Sequence, residues 1–241
     1  MLAAGVHDEA RAALTFLRVT QHADGHWPHA MLVDGERVAG KEELDEVALP
    51  ILLVDLLRRE RALADRELEA AWPMVARAAE HLVRTGPATR LDRLEDTPGV
   101  TPFTIAAEIA AALAAAEIAR LLGDPGSARR FRAAAERWHA QLEPLLYRRG
   151  GELAALVGVD GYYVRARVPG QAFPALDLHR LPVTEVTPDA LALVRFGLRD
   201  PDDPRIRYTV RVIDAVLRTE LPAGPVWRRY PNDAYGEHED H

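Results

Sequence analysis

Two short segments of this 241-residue chain place acidic residues beside aromatic, arginine or glycine residues. The first is Leu91–Asp96, which contains Glu95, and the second is Tyr230–Glu237, which ends at Glu237. Two carboxyl groups brought together from distant loops are the minimal equipment for glycoside hydrolysis, because one donates a proton while the other acts as a base. If both loops lie on the same rim of a helical scaffold, the pair predicts chemistry on a sugar.

Each acidic segment also has a purely structural interpretation. Glu95 lies between Arg93 and Asp96, so it fits either a general acid or one member of a surface ion-pair cluster ahead of a helix. Glu237 fits either a general base or one of several charges in the stretch 237–241. Taken singly, both segments favour the structural interpretation.

Other polar and aromatic residues are candidates for substrate contact. Asp45 and Glu46 open a predicted helix, where acidic side chains commonly do no more than complement the helix dipole. Trp27, Tyr230 and Tyr235 lie in long loops, where aromatic rings either stack on sugar faces or fix the loop to the core. These alternatives stay open at the level of residue types.

Three histidines near the N-terminus have spacings that a metal ion could use. His22, His26 and His29 cannot share one helical face, however, because Gly25 and Pro28 interrupt the segment. Spacing alone is weak evidence for ligation, so the sequence predicts no metal site.

Composition excludes several classes of function. The net charge of −7 leaves no basic field to attract nucleic acid or an anionic membrane. Cysteine is absent, which excludes disulfides, thiolate catalysis and cysteine-ligated zinc. The chain contains no nucleophile elbow, P-loop or dinucleotide fingerprint, so no cofactor is expected.

The first 13 residues and the hydropathy of the chain bear on its location. Charged residues and His7 stand where a signal peptide needs an apolar core, and no apolar run is expected to be long enough to span a bilayer. The sequence therefore predicts a cytoplasmic chain without membrane contact.

Helical periodicity recurs about seven times along the chain. The expected helices cover residues 8–19, 44–61, 68–84, 101–122 and 126–142, with two more opening at Thr187 and Asp203. Pro50 must either kink the second helix or lie in its first turn, and Gly86-Pro87 is a strong stop signal for the third. The first helix places Ala12, Phe16 and Val19 on one face.

Long loops separate these helices, and six aromatic residues in them argue against disorder. No alternating pattern is long enough for a sheet, although 162–168 fits a short hairpin arm. The predicted fold class is all-α with elaborate loops in a single domain, 1–241.

The order of the motifs resembles glycoside hydrolase family 15, the glucoamylase and glucodextranase family, in its bacterial form. Six colinear segments carry the resemblance: 21–35 (QHADGHWPHAMLVDG), 44–53 (LDEVALPILL), 86–107 (GPATRLDRLEDTPGVTPFTIAA), 162–169 (YYVRARVP), 192–204 (ALVRFGLRDPDDP) and 224–237 (GPVWRRYPNDAYGE). Each segment is weakly specific by itself, whereas six in order are strongly specific.

The resemblance implies a partial (α/α)6 toroid with long loops on one rim. It also implies an inverting exo-hydrolase that releases glucose from the non-reducing end of α-glucans or oligosaccharides, with Glu95 as general acid and Glu237 as general base. Inversion needs room for a water, which sets the two carboxyls roughly 6.5–9.5 Å apart. The residues expected to contact substrate are Trp27, Asp45, Glu46, Arg93, Asp96, Tyr230 and Tyr235.

The chain also departs from the family pattern. Leu94 stands where the family has Trp, Asp96 replaces a Glu, Glu43 replaces a Gln and Ala234 replaces a Gly. The chain resembles the middle of a catalytic domain without its two ends, and it lacks the early Trp-Pro-Arg-Asp segment.

Three hypotheses therefore remain. The first is a glucoside hydrolase completed by a second copy or a complementary chain that covers the incomplete toroid. The second is an inactive remnant that binds glucan or protein. The third is a helical scaffold for an apolar partner.

Overall fold

The computed structural model describes residues 7–32, 36–38, 40, 42–94, 98–166, 186–231 and 233. Within them the α-helices are α1 His7–Thr20, α2 Leu44–Arg59, α3 Asp65–Thr85, α4 Pro102–Leu121, α5 Pro125–Leu146, α6 Glu152–Val157, α7 Ala192–Arg195 and α8 Pro204–Leu217. A 3-10 helix, Pro188–Leu191, precedes α7.

Three two-stranded antiparallel sheets connect the helices of the described chain. They pair β1 Ala30–Met31 with β2 Arg37–Val38, β3 Tyr147–Arg149 with β4 Gly161–Tyr163, and β5 Arg218–Leu221 with β6 Gly224–Trp227. Part of the predicted hairpin arm thus forms, since Tyr162 pairs with Arg148. The strands are short, as the absence of long alternating stretches predicted.

The chain divides into two compact units. The first comprises residues 1–96 and 104–141, and the second comprises residues 97–103 and 142–241. In the first unit α2 packs against α1 and α3, and the rings of Trp72 on α3 and Phe131 on α5 meet edge to face with centroids 6.5 Å apart. In the second unit α8 packs against β4 and α6.

Helix ends follow the capping chemistry expected from the sequence. The Thr187 hydroxyl accepts from the Asp189 N–H, and the Asp203 carboxylate accepts from the Arg205 N–H at the start of α8. Gly86 follows the last residue of α3. Pro50 lies inside α2, beyond its first turn, so of the two predicted placements the interior one is correct.

The face predicted for α1 is wrong in detail. Phe16 and Val19 are 53% and 75% exposed, whereas Ala10 and Leu14 are buried. Every third or fourth residue of an amphipathic helix shares a face, and in α1 the apolar residues fall on two such faces. The sequence pattern could not decide which of them meets α2.

Helix α4 is long and apolar enough, by length and composition, to cross a membrane. The expectation that no run in the chain reaches that length was therefore wrong. Most of the helix is buried inside the protein, which is the ordinary behaviour of a central core helix, and its many alanines admit close neighbours.

Candidate functional site

The N-terminus of α2 carries two of the predicted substrate-contact residues, and they lie in different surroundings. Asp45 is buried, and its Oδ1 accepts a hydrogen bond of 2.9 Å from the hydroxyl of Thr104 on α4. Glu46 is half-buried and its Oε1 lies 2.9 Å from His29 Nδ1. The structure therefore places Asp45 in the core of the first unit and Glu46 at its surface.

Glu108 is an acidic residue that the sequence reasoning missed, and it lies beside Asp45. It is fully buried on α4, and neither carboxyl oxygen has a hydrogen-bond partner among the described residues. Burial, and then the negative charge of Asp45, raise the pKa of Glu108 well above its ordinary value. The raised pKa favours the protonated, neutral form of Glu108.

The position of Glu108 in the sequence carried a signal that could have been used. It falls between Ile105 and Ile109, the core residues of α4, where an acidic side chain has no water to face. Buried acids require a partner or a proton, so an acid at this position of an apolar stripe is a candidate for a perturbed pKa.

Thr89 connects the start of α2 to the segment that leads to Glu95. Its Oγ1 accepts from the Leu44 N–H at 3.2 Å and donates to the Leu91 carbonyl at 2.6 Å. Because Thr89 is itself buried, these bonds are shielded from water. They fix residues 89–91 against the Leu44-Asp45-Glu46 motif.

Asp92 shapes the next step of the same segment. Its side chain is buried, and Oδ1 accepts from the Leu94 N–H at 3.3 Å, which is the side-chain-to-backbone bond of an Asx turn. Arg93, inside this turn, is exposed at the surface of the first unit.

Trp27 is buried, and its indole N–H donates to the Leu17 carbonyl at 2.9 Å. The ring therefore fixes the loop after α1 to that helix. This is the second of the two roles predicted for the loop aromatics, the other being to stack on a sugar. Trp27 also lines a cavity of about 330 Å³, together with His22, His26, Pro28, His29, Arg37, Val38, Gly40 and Glu42. This size is at the lower end of ligand pockets.

Tyr230, in the second unit, lies under a buried arginine. The Arg165 guanidinium is 3.9 Å from the centre of the Tyr230 ring, a cation–π arrangement. The adjacent Arg229 forms two hydrogen bonds of 2.6 and 2.7 Å with the Asp233 carboxylate. Arg165 and Arg229 thus fix the segment that leads to Glu237.

Four predicted site residues lie outside the described residues, namely Glu95, Asp96, Tyr235 and Glu237. Their roles and the predicted separation of the two carboxyls stay predictions. The structure shows how the segments before them are held. In the first unit the bonds of Thr89 and Asp92 fix the residues before Glu95, and in the second unit Arg165 packs on Tyr230 ahead of Glu237.

Comparisons with known proteins agree on one family. Residues 20–240 match the model of glycosyl hydrolases family 15. A glucoamylase of Clostridium sp. (strain G0005) is 32% identical over 246 aligned residues, which cover 98% of this chain and 33% of the relative.

Solved structures support the same assignment. A bacterial glucoamylase complexed with acarbose superposes with a TM-score of 0.81 and 31% identity, over 95% of this chain and 33% of that chain. A wild-type glycosidase at 20% identity has a TM-score of 0.61 over 96% of this chain and 54% of that one, which shows the fold alone.

The chain spans about a third of the length of the glucoamylases it matches. Its helical structure corresponds to part of their (α/α)6 toroid, so the all-α fold class is confirmed. With a family match over residues 20–240 and two glucoamylases at more than 30% identity, the chain belongs to glycosyl hydrolases family 15.

Proposed function

We propose that this chain is the catalytic part of an inverting exo-acting α-glucoside hydrolase, with Glu95 as general acid and Glu237 as general base. The observation that carries the proposal is the 32% identity to a glucoamylase over 98% of the chain. The family match over residues 20–240 includes both acidic segments. The hydrogen bonds of Thr89 and Asp92 support it, because they order the residues immediately before Glu95.

The proposed mechanism needs two proton movements. Glu95 gives its proton to the glycosidic oxygen as the bond to the anomeric carbon breaks, and Glu237 removes a proton from the water that attacks the opposite face. One water is consumed, the leaving sugar gains a hydroxyl, and the α-linkage becomes β-glucose. In this proposal Arg93 contacts the substrate beside the acid. Trp27, Glu46 and Tyr230 are the other described residues that the family resemblance assigns to substrate contact.

Activity is tested by the stereochemistry of the first product. Proton NMR of the chain with maltose, isomaltose or dextran should show β-glucose before mutarotation, and Glu95→Gln and Glu237→Gln should each abolish its release. The exposed Glu69→Gln on α3 serves as the matched control. Initial release of α-glucose would exclude an inverting mechanism.

A partner that completes the site is part of the same proposal, because the chain covers only a third of its relatives. Phe16 and Val19 of α1 offer exposed apolar surface for a second copy or a complementary chain. Light scattering across a concentration series, followed by activity at each concentration, distinguishes an active oligomer from an active monomer.

A non-catalytic role is the second candidate, and Leu94 favours it because the family has a tryptophan there. A tryptophan beside the acid supplies a flat apolar surface, and leucine does not. Acarbose is the suitable probe, since the bacterial glucoamylase was solved with it bound. Calorimetric binding of acarbose without glucose release from any substrate would support a glucan-binding remnant, and neither binding nor release would leave the scaffold hypothesis.

A further inference from the structure

Three ligand-type side chains converge where the loop after α1 meets α3. The ligand atoms of Asp24, His26 and His81 all lie within 4.8 Å of one another; we call these three residues the histidine cluster. His26 Nδ1 is 2.6 Å from the Asp24 carboxylate, and His81 Nδ1 is 3.1 Å from the Asp24 main-chain oxygen. The Nδ1 atoms of His26 and His81 therefore both face Asp24.

Glu42 completes the surroundings of His81 from a different part of the chain. Its carboxylate is in a very short contact with His81 Nε2, so Nε2 carries the hydrogen and donates to Glu42. A histidine that binds a metal through one nitrogen commonly donates its other N–H to a carboxylate, which fixes the ring and raises its basicity. The Glu42–His81 pair has that arrangement before any metal binds.

The donor set of the cluster suits a particular class of ion. Two imidazoles and a carboxylate favour divalent transition metals, Zn²⁺ above all, over Mg²⁺ or Ca²⁺, which prefer oxygen alone. The carboxylates of Asp24 and Glu42 supply two negative charges to the cluster. The nearby cations are Arg84, whose Nη2 lies 3.0 Å from His81 Nδ1, Arg90 beside Glu42, and Arg37 in the cavity wall. Since Arg84 is a long side chain at the surface, it can withdraw when an ion enters.

An entry path is also present. The cavity of about 330 Å³ is lined by His26 and Glu42, and His22 lies on its wall with its ring stacked on that of His26 at 4.3 Å. An ion can therefore reach His26 from solvent, and one position of a tetrahedral site stays open to water or to His22.

We propose that Asp24, His26 and His81 bind one divalent transition metal, with Zn²⁺ as the best match, and that Glu42 orients His81 for it. The bound ion joins the loop 21–27 to α3. That loop already reaches α3 through Gln21, which donates to the Met74 carbonyl at 3.0 Å and accepts from Arg77 at 2.7 Å. The ion adds a second attachment beside Trp27 and stabilises the first unit.

The competing explanation is that the cluster is a metal-free set of hydrogen bonds that only fixes the loop. The two explanations differ in whether added metal changes anything. The local sequence could not decide between them, because His81 is 55 residues away from His26 along the chain.

The test uses the full chain after dialysis against EDTA. Calorimetry with Zn²⁺ should give one site per chain, Co²⁺ should give the visible absorption of a low-symmetry protein site, and Zn²⁺ should raise Tm. His26→Asn and Asp24→Asn, both at solvent-accessible positions, should weaken Zn²⁺ binding at least tenfold and remove the rise in Tm. Glu42→Gln should weaken binding about 10–100-fold, as expected of an orienting carboxylate.

A control excludes binding by the histidines near the C-terminus. The double variant His238→Gln/His241→Gln removes two histidines and should keep the Zn²⁺ affinity, the Co²⁺ spectrum and the rise in Tm. Metal binding that is unaffected by His26→Asn and Asp24→Asn would overturn the proposal, as would the absence of any binding by the folded wild-type chain. Circular dichroism without metal verifies that each variant is folded.

Discussion

Thr104 of α4 donates a hydrogen bond of 2.9 Å to Asp45 of α2 inside the core of the first unit. Both residues are buried, so the bond links the motif that opens α2 to the helix that follows the Glu95 segment. Glu108, one turn further along α4, adds a second carboxyl to the same place. The ordering of the candidate site thus depends on a polar cluster in an otherwise apolar core.

Replacement of Thr104 by valine should lower the free energy of unfolding by about 1–2 kcal/mol, because it keeps the shape of the side chain but removes a donor to a buried carboxylate. Urea denaturation measures the change. The control is Thr15→Val on the exposed side of α1, where the hydroxyl donates to the Arg11 carbonyl of the same helix. This substitution should change stability by less than about 0.5 kcal/mol. Equal effects of the two substitutions would contradict the structural role of the Thr104–Asp45 bond.

The raised pKa of Glu108 predicts a pH dependence of stability with a definite sign. Burial, reinforced by Asp45, raises the folded-state pKa above the unfolded value. Between those two values the folded state binds more protons than the unfolded state, so the wild type loses stability as pH rises through this window.

Glu108→Gln keeps a neutral, similarly shaped side chain and should remove that loss. Its stability relative to the wild type should therefore increase from about pH 5 to about pH 8, as measured by denaturation at both values. Glu69→Gln, at an exposed position on α3, is the control and should show no such trend. A decrease with rising pH would mean that Glu108 is charged in the folded state.

The sequence predicted most helices because their signals are local. In α5 the residues Phe131, Ala135, Trp138 and Leu142 are all buried, as their spacing indicated. Residues Thr187 and Asp203 act as caps as predicted, although the helix after Thr187 is a short 3-10 and α pair. Capping and periodicity depend on neighbours within a few positions, which a single sequence contains.

The candidate site could be predicted only in part, because its contacts are distant in sequence. Thr89 joins Leu44 across 45 residues and Thr104 joins Asp45 across 59, and no pattern in the chain records either pairing. The prediction of the buried face of α1 was wrong for the same reason, since tertiary packing rather than periodicity decides which face is buried.

Glu143 in the second unit predicts a pH dependence of the opposite sign. Burial acts to raise its pKa, but hydrogen bonds from Tyr163 at 2.6 Å and from Arg199, with the nearby charge of Arg205, outweigh it and lower the pKa. Between the folded-state and the unfolded-state pKa of Glu143, the unfolded state binds more protons than the folded state. The stabilisation from the charged carboxylate is therefore present above the unfolded pKa and is lost as pH falls through the folded pKa.

Glu143→Gln should therefore cost about 1–3 kcal/mol at pH 7, because hydrogen bonds to a charged group are lost, and much less near pH 3. Denaturation at the two pH values gives the comparison. The exposed Glu136→Gln on α5 provides the control. A cost for Glu143→Gln that is the same at both pH values would show that the charge of Glu143 does not stabilise the second unit.

A side chain at Gly86 would meet two close neighbours, the Glu108 carboxyl and the Leu82 carbonyl. A Cβ at this position would collide with Glu108 Oε1 and lie 3.0 Å from the Leu82 carbonyl. Gly86→Ala should therefore lower the free energy of unfolding by about 1–3 kcal/mol, the usual cost of overpacking. Gly126→Ala, near the start of α5, should instead be neutral or slightly stabilising, because the closest contact of its Cβ beyond the adjacent backbone would be Asp124 Oδ1 at 3.4 Å.

Combining Gly86→Ala with Glu108→Ala identifies which neighbour causes the loss of stability. If the Glu108 carboxyl is the obstacle, Gly86→Ala should cost less free energy of unfolding in the Glu108→Ala background. A double-mutant cycle from urea denaturation measures the difference. Costs that add without coupling would place the strain at the Leu82 carbonyl.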